Sequence, residues 1–217
     1  MDEIIRNIAV YALPVLFAIT LHEAAHAYAA RHFGDNTAYA QGRMTLNPLV
    51  HVDLFGTIII PIALYAMSGF VFGYAKPVPV QFGNLRNPKR DMAWVALAGP
   101  LANLVMAVMW VVFAVLLTAL DVNEKFPHAV AQAGLVTNLL IFAFNLFPLP
   151  PLDGGRVLTS MLPNRLAFKF AKIEPYGFFV LLALLYFGVL SFWVRPMMWL
   201  GAQMVELVTL PFTFLLT

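Results

Sequence analysis

The chain has 217 residues, of which 61% are hydrophobic and only 11% charged, and it contains no cysteine. That balance is too apolar for a soluble domain and points to a protein embedded in a bilayer. The formal net charge of +2 comes from basic residues scattered over loops, so no nucleic-acid footprint is present. Without cysteine there are neither disulfides nor thiolate metal ligands, which leaves histidine and carboxylate as the available donors.

In chain order, the first apolar stretch predicts a helix over about residues 4–33, stopped by Gly34-Asp35-Asn36. It opens on Met1-Asp2-Glu3, acidic rather than basic, and lacks a convincing small-residue cleavage site. A retained transmembrane helix is therefore expected, not a signal peptide. A polar stretch follows, with turn signals at Gln41-Gly42 and Asn47-Pro48. The second apolar run, residues 54–74, is interrupted by Gly56, Pro61, Ser68-Gly69 and Gly73. In Lys76-Pro77-Val78-Pro79-Val80 the prolines forbid a helix and suit an extended edge. A long helix is expected over about 91–120, after the basic loop Arg86-Asn87-Pro88-Lys89-Arg90. The next apolar segment, about 129–147, ends at Pro148-Leu149-Pro150-Pro151. Two final segments, near 175–193 and 197–216, are expected to be separated by Arg195-Pro196. With no internal repeat, the expectation is one membrane-embedded domain over 1–217, with a core of about 4–160 and accessory helices at about 175–216. The fold class is all-α and polytopic, with five or six apolar segments, a small β element and a re-entrant segment near the site.

Charge placement bears on the course of residues 54–74. If every apolar run crosses the membrane, nine of the 13 basic residues share one side, but His22 and His26 then lie toward the opposite face from Asp153. If residues 54–74 re-enter from the cytoplasmic side, ten of the 13 lie inside, all except Arg6, Lys125 and Arg195. The positive-inside rule barely separates these arrangements. Bringing the histidines and Asp153 to one depth does, and the re-entrant arrangement is the expected one.

The chemistry concentrates in His22-Glu23-Ala24-Ala25-His26, inside the first apolar segment. On a helix of 3.6 residues per turn, residues four apart sit about 40° apart around the axis, so both rings can reach one metal ion. Glu23 can then face a metal-bound water as general base. HExxH is short enough to arise by chance, and its plain alternative is two histidines hydrogen-bonded to neighbouring helices. Within apolar surroundings, however, a His-Glu-His cluster needs partners to offset its desolvation. A catalytic zinc wants three protein ligands and an open position. The best third ligand is Asp153, in Asn145-Leu-Phe-Pro-Leu-Pro-Pro-Leu-Asp-Gly-Gly-Arg156. It follows backbone that prolines keep from being helical, and irregular backbone at membrane depth is tolerated where it lines a buried or wet cavity. Gly154 and Gly155 allow a close approach there. The plain alternative for Asp153 is a helix N-cap.

HEAAH, the Gly99-Pro100-Leu101-Ala102-Asn103 of a middle helix, and Asn145…Pro148…Pro150…Leu152-Asp153-Gly154 together resemble the site-2 protease family of intramembrane zinc metalloproteases. The likeness extends through Asn47-Pro48, Phe55-Gly56-Thr57 and Ala75 to Val80, and covers most of residues 10–180 in the order found in compact members. The resemblance implies that His22, His26 and Asp153 hold one Zn²⁺ and that Glu23 activates the water. It also implies that Asn103 and Asn145 line the site, stabilising an oxyanion or holding the substrate strand; the plain alternative for each is an interhelical hydrogen bond. The inserted PDZ domain and appended CBS domains of longer members have no counterpart here.

The expected activity is thus hydrolysis of peptide bonds in or near transmembrane segments. Expected partners are a transmembrane protein or peptide substrate and the lipid bilayer, with a second copy of the chain as a further candidate and no nucleic acid. Segments around 37–47 and 77–82 are candidates to pair with an unwound substrate as an added strand, or are ordinary connecting loops. Localisation is expected in the cell membrane of a prokaryote, with the site nearer the cytoplasmic side. Two rivals stand beside this reading. A membrane zinc-binding or transport protein without proteolysis would offer ligands along a path, often in repeats; this chain offers one cluster. A metalloprotease acting on soluble substrates would take a glutamate as third ligand, with Glu206 its best candidate. His32, His51 and His128 are given no ligand role, and Arg156 is read as a positive-inside anchor. Ligand type alone does not select zinc over other divalent ions.

Overall fold

The computed structural model describes residues 2–60 and 73–214. The helices are α1 (Asp2–His32), α2 (Thr37–Ala40), α3 (Pro88–Ala119), α4 (Lys125–Asn145), α5 (Asp153–Met161), α6 (Asn164–Ala171), α7 (Glu174–Tyr186) and α8 (Ser191–Phe214). A 3₁₀ turn at Pro48–Val50, a π-helical turn at Leu54–Ile59 and a 3₁₀ turn at Phe82–Asn84 fill the connection between α2 and α3.

Three of these helices are long and apolar enough to cross a membrane: Ile5–His32 within α1, then α3 and α4. α7 and α8 add a fourth span if counted as one bent unit, with an 89° angle at their junction. Among the described residues this gives three or four spans; the expected apolar segment at 54–74 falls largely outside those residues. The break between the last two lies elsewhere than expected. Gly188, at φ +71°, supplies the left-handed conformation that ends α7, a conformation glycine adopts without steric cost. Arg195 and Pro196 instead continue inside α8.

α1 packs on α3 and α4, which pack on each other, and α8 covers the α3–α4 pair. Bilayer lipid is as apolar as leucine, so helix association rests on close packing and on polar contacts between helices. Small side chains permit that approach: Ala18, Ala24, Ala27 and Ala30 of α1 are all at most 2% exposed. Ala18, His22, His26 and Ala30 fall at successive four-residue steps, so one buried stripe of α1 carries both histidines between alanines. Farther along, Ala107, Leu139 and Val205 join α3, α4 and α8, while Leu152, Leu181 and Leu190 pack the start of α5 against α7 and its end.

The expected small β element is absent from the described residues. Thr37–Ala40 is a helical turn, and the stretch around Pro77–Val80 is extended but joins no ladder. The prolines at 77 and 79 remove two amides, and other groups occupy the backbone that remains. Lys76 N donates to His51 O at 2.9 Å, and Arg43 Nη2 donates to Lys76 O at 2.9 Å and Pro77 O at 3.3 Å. Val78 N donates to Glu23 Oε2 and Gln81 N to Asp35 Oδ2, each at 2.7 Å. Side chains thus stand where a neighbouring strand would. At the start of this stretch, Tyr74 N donates to Gly56 O at 2.9 Å and Thr57 Oγ1 to Tyr74 O at 3.0 Å, so the two ends of the second apolar run meet. Residues 61–72 of that run, on which the re-entrant expectation falls, lie outside the described residues.

Asp35, read from sequence only as part of a helix stop, is 1% exposed and ties the end of α1 to the loop before α3. Besides Gln81 N, its carboxylate accepts from Thr37 N, Thr37 Oγ1 and Asn84 Nδ2. Burial opposes the charged form, yet these donors outweigh it and hold the carboxyl below its ordinary range. Asp35→Ala strips the acceptor from buried donors, so a loss of about 2–4 kcal/mol in unfolding free energy is expected in detergent. A lowered carboxyl pKa contributes stability that is fully present above about pH 4 and lost as pH falls through the folded-state value. The gap between wild type and Asp35→Ala should therefore narrow as unfolding is measured at progressively more acid pH.

Candidate metal centre

α1 sets the two histidines on one buried stripe, and α3 fixes which nitrogen of each ring is free. His22 Nδ1 donates to Asn103 Oδ1 at 2.6 Å, and His26 Nδ1 donates to the Val95 carbonyl at 2.7 Å. Both acceptors call for the ring hydrogen on Nδ1, so in the neutral rings both Nε2 atoms present lone pairs. These Nε2 atoms are 3.0 Å apart, and they stand 3.2 and 3.3 Å from Asp153 Oδ2. His22, His26 and Asp153 are each only 5–6% exposed, and Asp153 Oδ2 is buried with no hydrogen-bond donor. Three electron-pair donors so close together repel unless a cation lies among them. Donors held at 2.0–2.2 Å around one tetrahedral ion stand about 3.3–3.5 Å apart, close to what is found. The residues therefore fit a zinc ion. They are the sole such cluster of histidine and carboxylate among the described residues.

Asp153 reaches this point through the proline-rich turn. α4 ends at Asn145, the chain turns through Pro148, Pro150 and Pro151, and α5 begins at Asp153 with Leu152 in the capping position. Asp153 thus sits in the first helical turn but caps nothing; its carboxylate faces the histidines. A Cβ on Gly154 or Gly155 would strike the backbone of Leu146 or that of Leu149 and Pro150, so glycine is what allows α5 to start tight against the turn.

Gly99 does the same for α3. A Cβ there would meet His26 Nε2 directly and His22 Cε1 at 2.6 Å. Gly99 and Asn103, four residues apart on α3, therefore act on one site, the first by leaving room for the rings and the second by bonding to one.

Glu23 is half-buried beside the cluster, with Oε2 held by the Val78 amide at 2.7 Å. Asn103 is fully buried: Nδ2 donates to Ala18 O at 3.2 Å and to Asn138 Oδ1 at 2.9 Å, while Oδ1 serves His22. Asn145 is half-buried, and its Nδ2 donates to Ile141 O, one turn back in its own helix. Glu206 is exposed on α8 and receives Gln203 Nε2 at 3.3 Å, away from the cluster. His51 is buried and bonds to Thr45 O, and His128 bonds to Val122 O. Arg156 approaches Glu174 at 3.8 Å.

Four contributors escaped the sequence reading. Asn138 was legible in principle, as an amide in the middle of an apolar helix. The Val95 carbonyl, the Val78 amide and the role of Asp35 carry no residue-type signal. Gly99→Ala should leave the helices formed but push the rings apart, lowering metal affinity at least 10-fold in a chelator competition.

The sequence model of Peptidase family M50 matches residues 10–136 and 121–188. YwhC of Bacillus subtilis, whose name assigns it as a zinc metalloprotease, is 38% identical over 191 residues, covering 86% of this chain and 84% of the relative. Rip2 of Mycolicibacterium smegmatis, assigned in the same words, is 30% identical over 186 residues, covering 82% of this chain and 67% of the relative. The zinc metalloprotease MJ0392 of Methanocaldococcus jannaschii is 25% identical over 185 residues, which span 44% of its length. No solved structure matches the chain. The family model spans the histidine pair, the glycine and asparagine of α3, and Asp153, so the family suggested by the sequence motifs is the one to which the chain belongs: peptidase family M50.

Proposed function

We propose that the chain is an intramembrane zinc endopeptidase that hydrolyses peptide bonds in or near transmembrane segments of other membrane proteins. The observation that carries this reading is the convergence of His22 Nε2, His26 Nε2 and Asp153 Oδ2 on the buried side of a membrane-length helix. Bound by these three atoms, zinc would supply Lewis acidity toward a scissile carbonyl and make a water easier to deprotonate.

The protein's own groups supply the rest. Glu23 neighbours His22 in sequence and is anchored at Oε2 by Val78 N, which leaves Oε1 without a protein partner among the described residues. A carboxylate fixed at one oxygen and open at the other is suited to taking a proton from the attacking water and passing it to the leaving amine nitrogen as the C–N bond breaks. Val78 N–H steadies the carboxylate without competing for that second oxygen. Asn103 works as a positioning residue, since its amide is spent on His22, Ala18 and Asn138. Asn145 stands at the end of α4, where the chain turns toward Asp153, and is proposed as a lining residue whose amide can rotate toward a bound peptide.

Substrate class follows from placement. The ligand residues lie about 25–32 Å along the spanning part of α1, taking 1.5 Å per residue from Ile5, so the site sits toward one face of the bilayer. A peptide bond presented there must come from a segment that has left its helical hydrogen bonds. A cytoplasmic-facing site in a prokaryotic cell membrane is the orientation proposed, on the distribution of basic loops. A transport role draws no support from the single cluster of ligands found among the described residues.

The reading is tested by pairing metal content with cleavage of a model transmembrane substrate. Glu23→Gln should keep about one zinc per chain while cleavage falls by at least 10³-fold, because the variant retains the ligands and loses the base. Wild type stripped by a chelator should lose activity and regain it on adding zinc, whereas Asp153→Ala should bind zinc poorly and not recover. Full activity in Glu23→Gln would end the proposal.

A further inference from the structure

We propose that Asn138 is a positioning residue of the metal centre, acting through Asn103 to hold the His22 ring with Nε2 directed at the metal. This rests on the metal-centre reading above. Asn138 and Asn103 are both completely buried, on α4 and α3, and a directed run of hydrogen bonds links them to His22 on α1.

The direction is set by groups that cannot reverse. The Gly134 carbonyl can only accept, and Asn138 Nδ2 donates to it at 2.9 Å. Asn138 must then present Oδ1 on its other side, where it accepts from Asn103 Nδ2 at 2.9 Å. The second hydrogen of that Nδ2 goes to another obligatory acceptor, Ala18 O, at 3.2 Å. With its nitrogen committed twice, Asn103 can offer His22 only Oδ1, which lies 2.6 Å from Nδ1. His22 must therefore carry its hydrogen on Nδ1, and Nε2 is left bare toward His26 and Asp153. Turning either amide over would set N–H against N–H and oxygen against oxygen in a place water does not reach. Removing Asn138 leaves one buried Nδ2 hydrogen of Asn103 without an acceptor, which invites the amide to rotate and weakens its hold on the ring. His26 needs no such relay, because a backbone carbonyl, Val95 O, performs the same service directly. The plain alternative is that Asn138 merely fastens α4 to α3.

The experiment compares zinc affinity by chelator competition in the full chain in detergent, for wild type, Asn138→Leu, Asn103→Leu and the double variant. Asn138→Leu should weaken binding about 10-fold and Asn103→Leu about 10- to 100-fold, as partners behind a first ligand do. The double variant should bind no more weakly than Asn103→Leu alone, because Asn138 acts only through Asn103. Losses that instead multiply in the double variant, or affinity within about 2-fold of wild type in Asn138→Leu, would overturn the proposal. Asn138→Ala, which removes the acceptor with a smaller change in shape, serves if the leucine variant does not fold; its affinity should fall between wild type and Asn103→Leu, and equality with wild type overturns the proposal. Nitrogen NMR of ring-labelled histidine in metal-free protein gives an independent readout. Wild type should show His22 protonated at Nδ1, and the Asn138 variant a mixture of ring forms; unchanged spectra count against the relay. This second readout decides the matter even in a chain that binds no zinc, an outcome that would end the metal-centre reading itself.

Discussion

Two imidazole nitrogens and one carboxylate oxygen stand 3.0 to 3.3 Å apart with almost no access to solvent, and with both rings neutral and protonated at Nδ1 none of the three brings a hydrogen of its own to the meeting point. That arrangement is unfavourable by itself and becomes favourable once a cation is shared. Much of the surrounding structure serves to hold it. Hydrogen-bond acceptors on α3 keep the ring protons on the far nitrogens, Gly99 leaves the rings room, and the proline turn with its glycine pair delivers the carboxylate. Helix packing that would otherwise be a generic matter of small residues in a bundle is thereby tied to one chemical requirement.

A second constraint explains the irregular stretch between α2 and α3. Backbone amides and carbonyls there find neither helix nor ladder partners, so side chains must satisfy them. Arg43, Glu23 and Asp35 each take up part of that task along residues 76–81. One of the three is the residue proposed as base, so the segment's hydrogen bonding and the proposed chemistry share a carboxylate. Asp35 belongs to the same scheme at a remove, fixing the segment three residues beyond Val78.

The sequence made the centre legible and left its supports obscure. His22, His26 and Glu23 are readable because a helical period relates them and because ionisable residues in an apolar run demand explanation. Asp153 is readable because prolines and glycines mark a break in a membrane-length segment. Asn103 could be tied to the site only by likeness, and its amide bonds to His22, Ala18 and Asn138. Asn145, from the separate proline-rich motif, bonds within its own helix. The β element was misjudged for a physical reason: extended backbone is a local property that prolines announce, whereas a ladder needs a partner that no local pattern specifies. The junction of the last two apolar segments was expected at Arg195-Pro196 because proline is the louder signal, whereas the glycine at 188, in left-handed backbone, ends the earlier helix and leaves a bent pair.

α3 touches the two ligand rings at separate heights, His26 through Val95 and His22 through Asn103, eight residues apart and so about 12 Å along its axis. The rings themselves are one turn apart on α1, which crosses it. α3 therefore behaves as a gauge clamped at two marks: a slide of either helix along its length upsets both ring contacts together, and a rotation upsets them unequally. Membrane thickness, lateral pressure and lodged substrate all act on helix register. Any such shift between α1 and α3 would be felt at both ring contacts, so that holding the rings and holding helix register are one property.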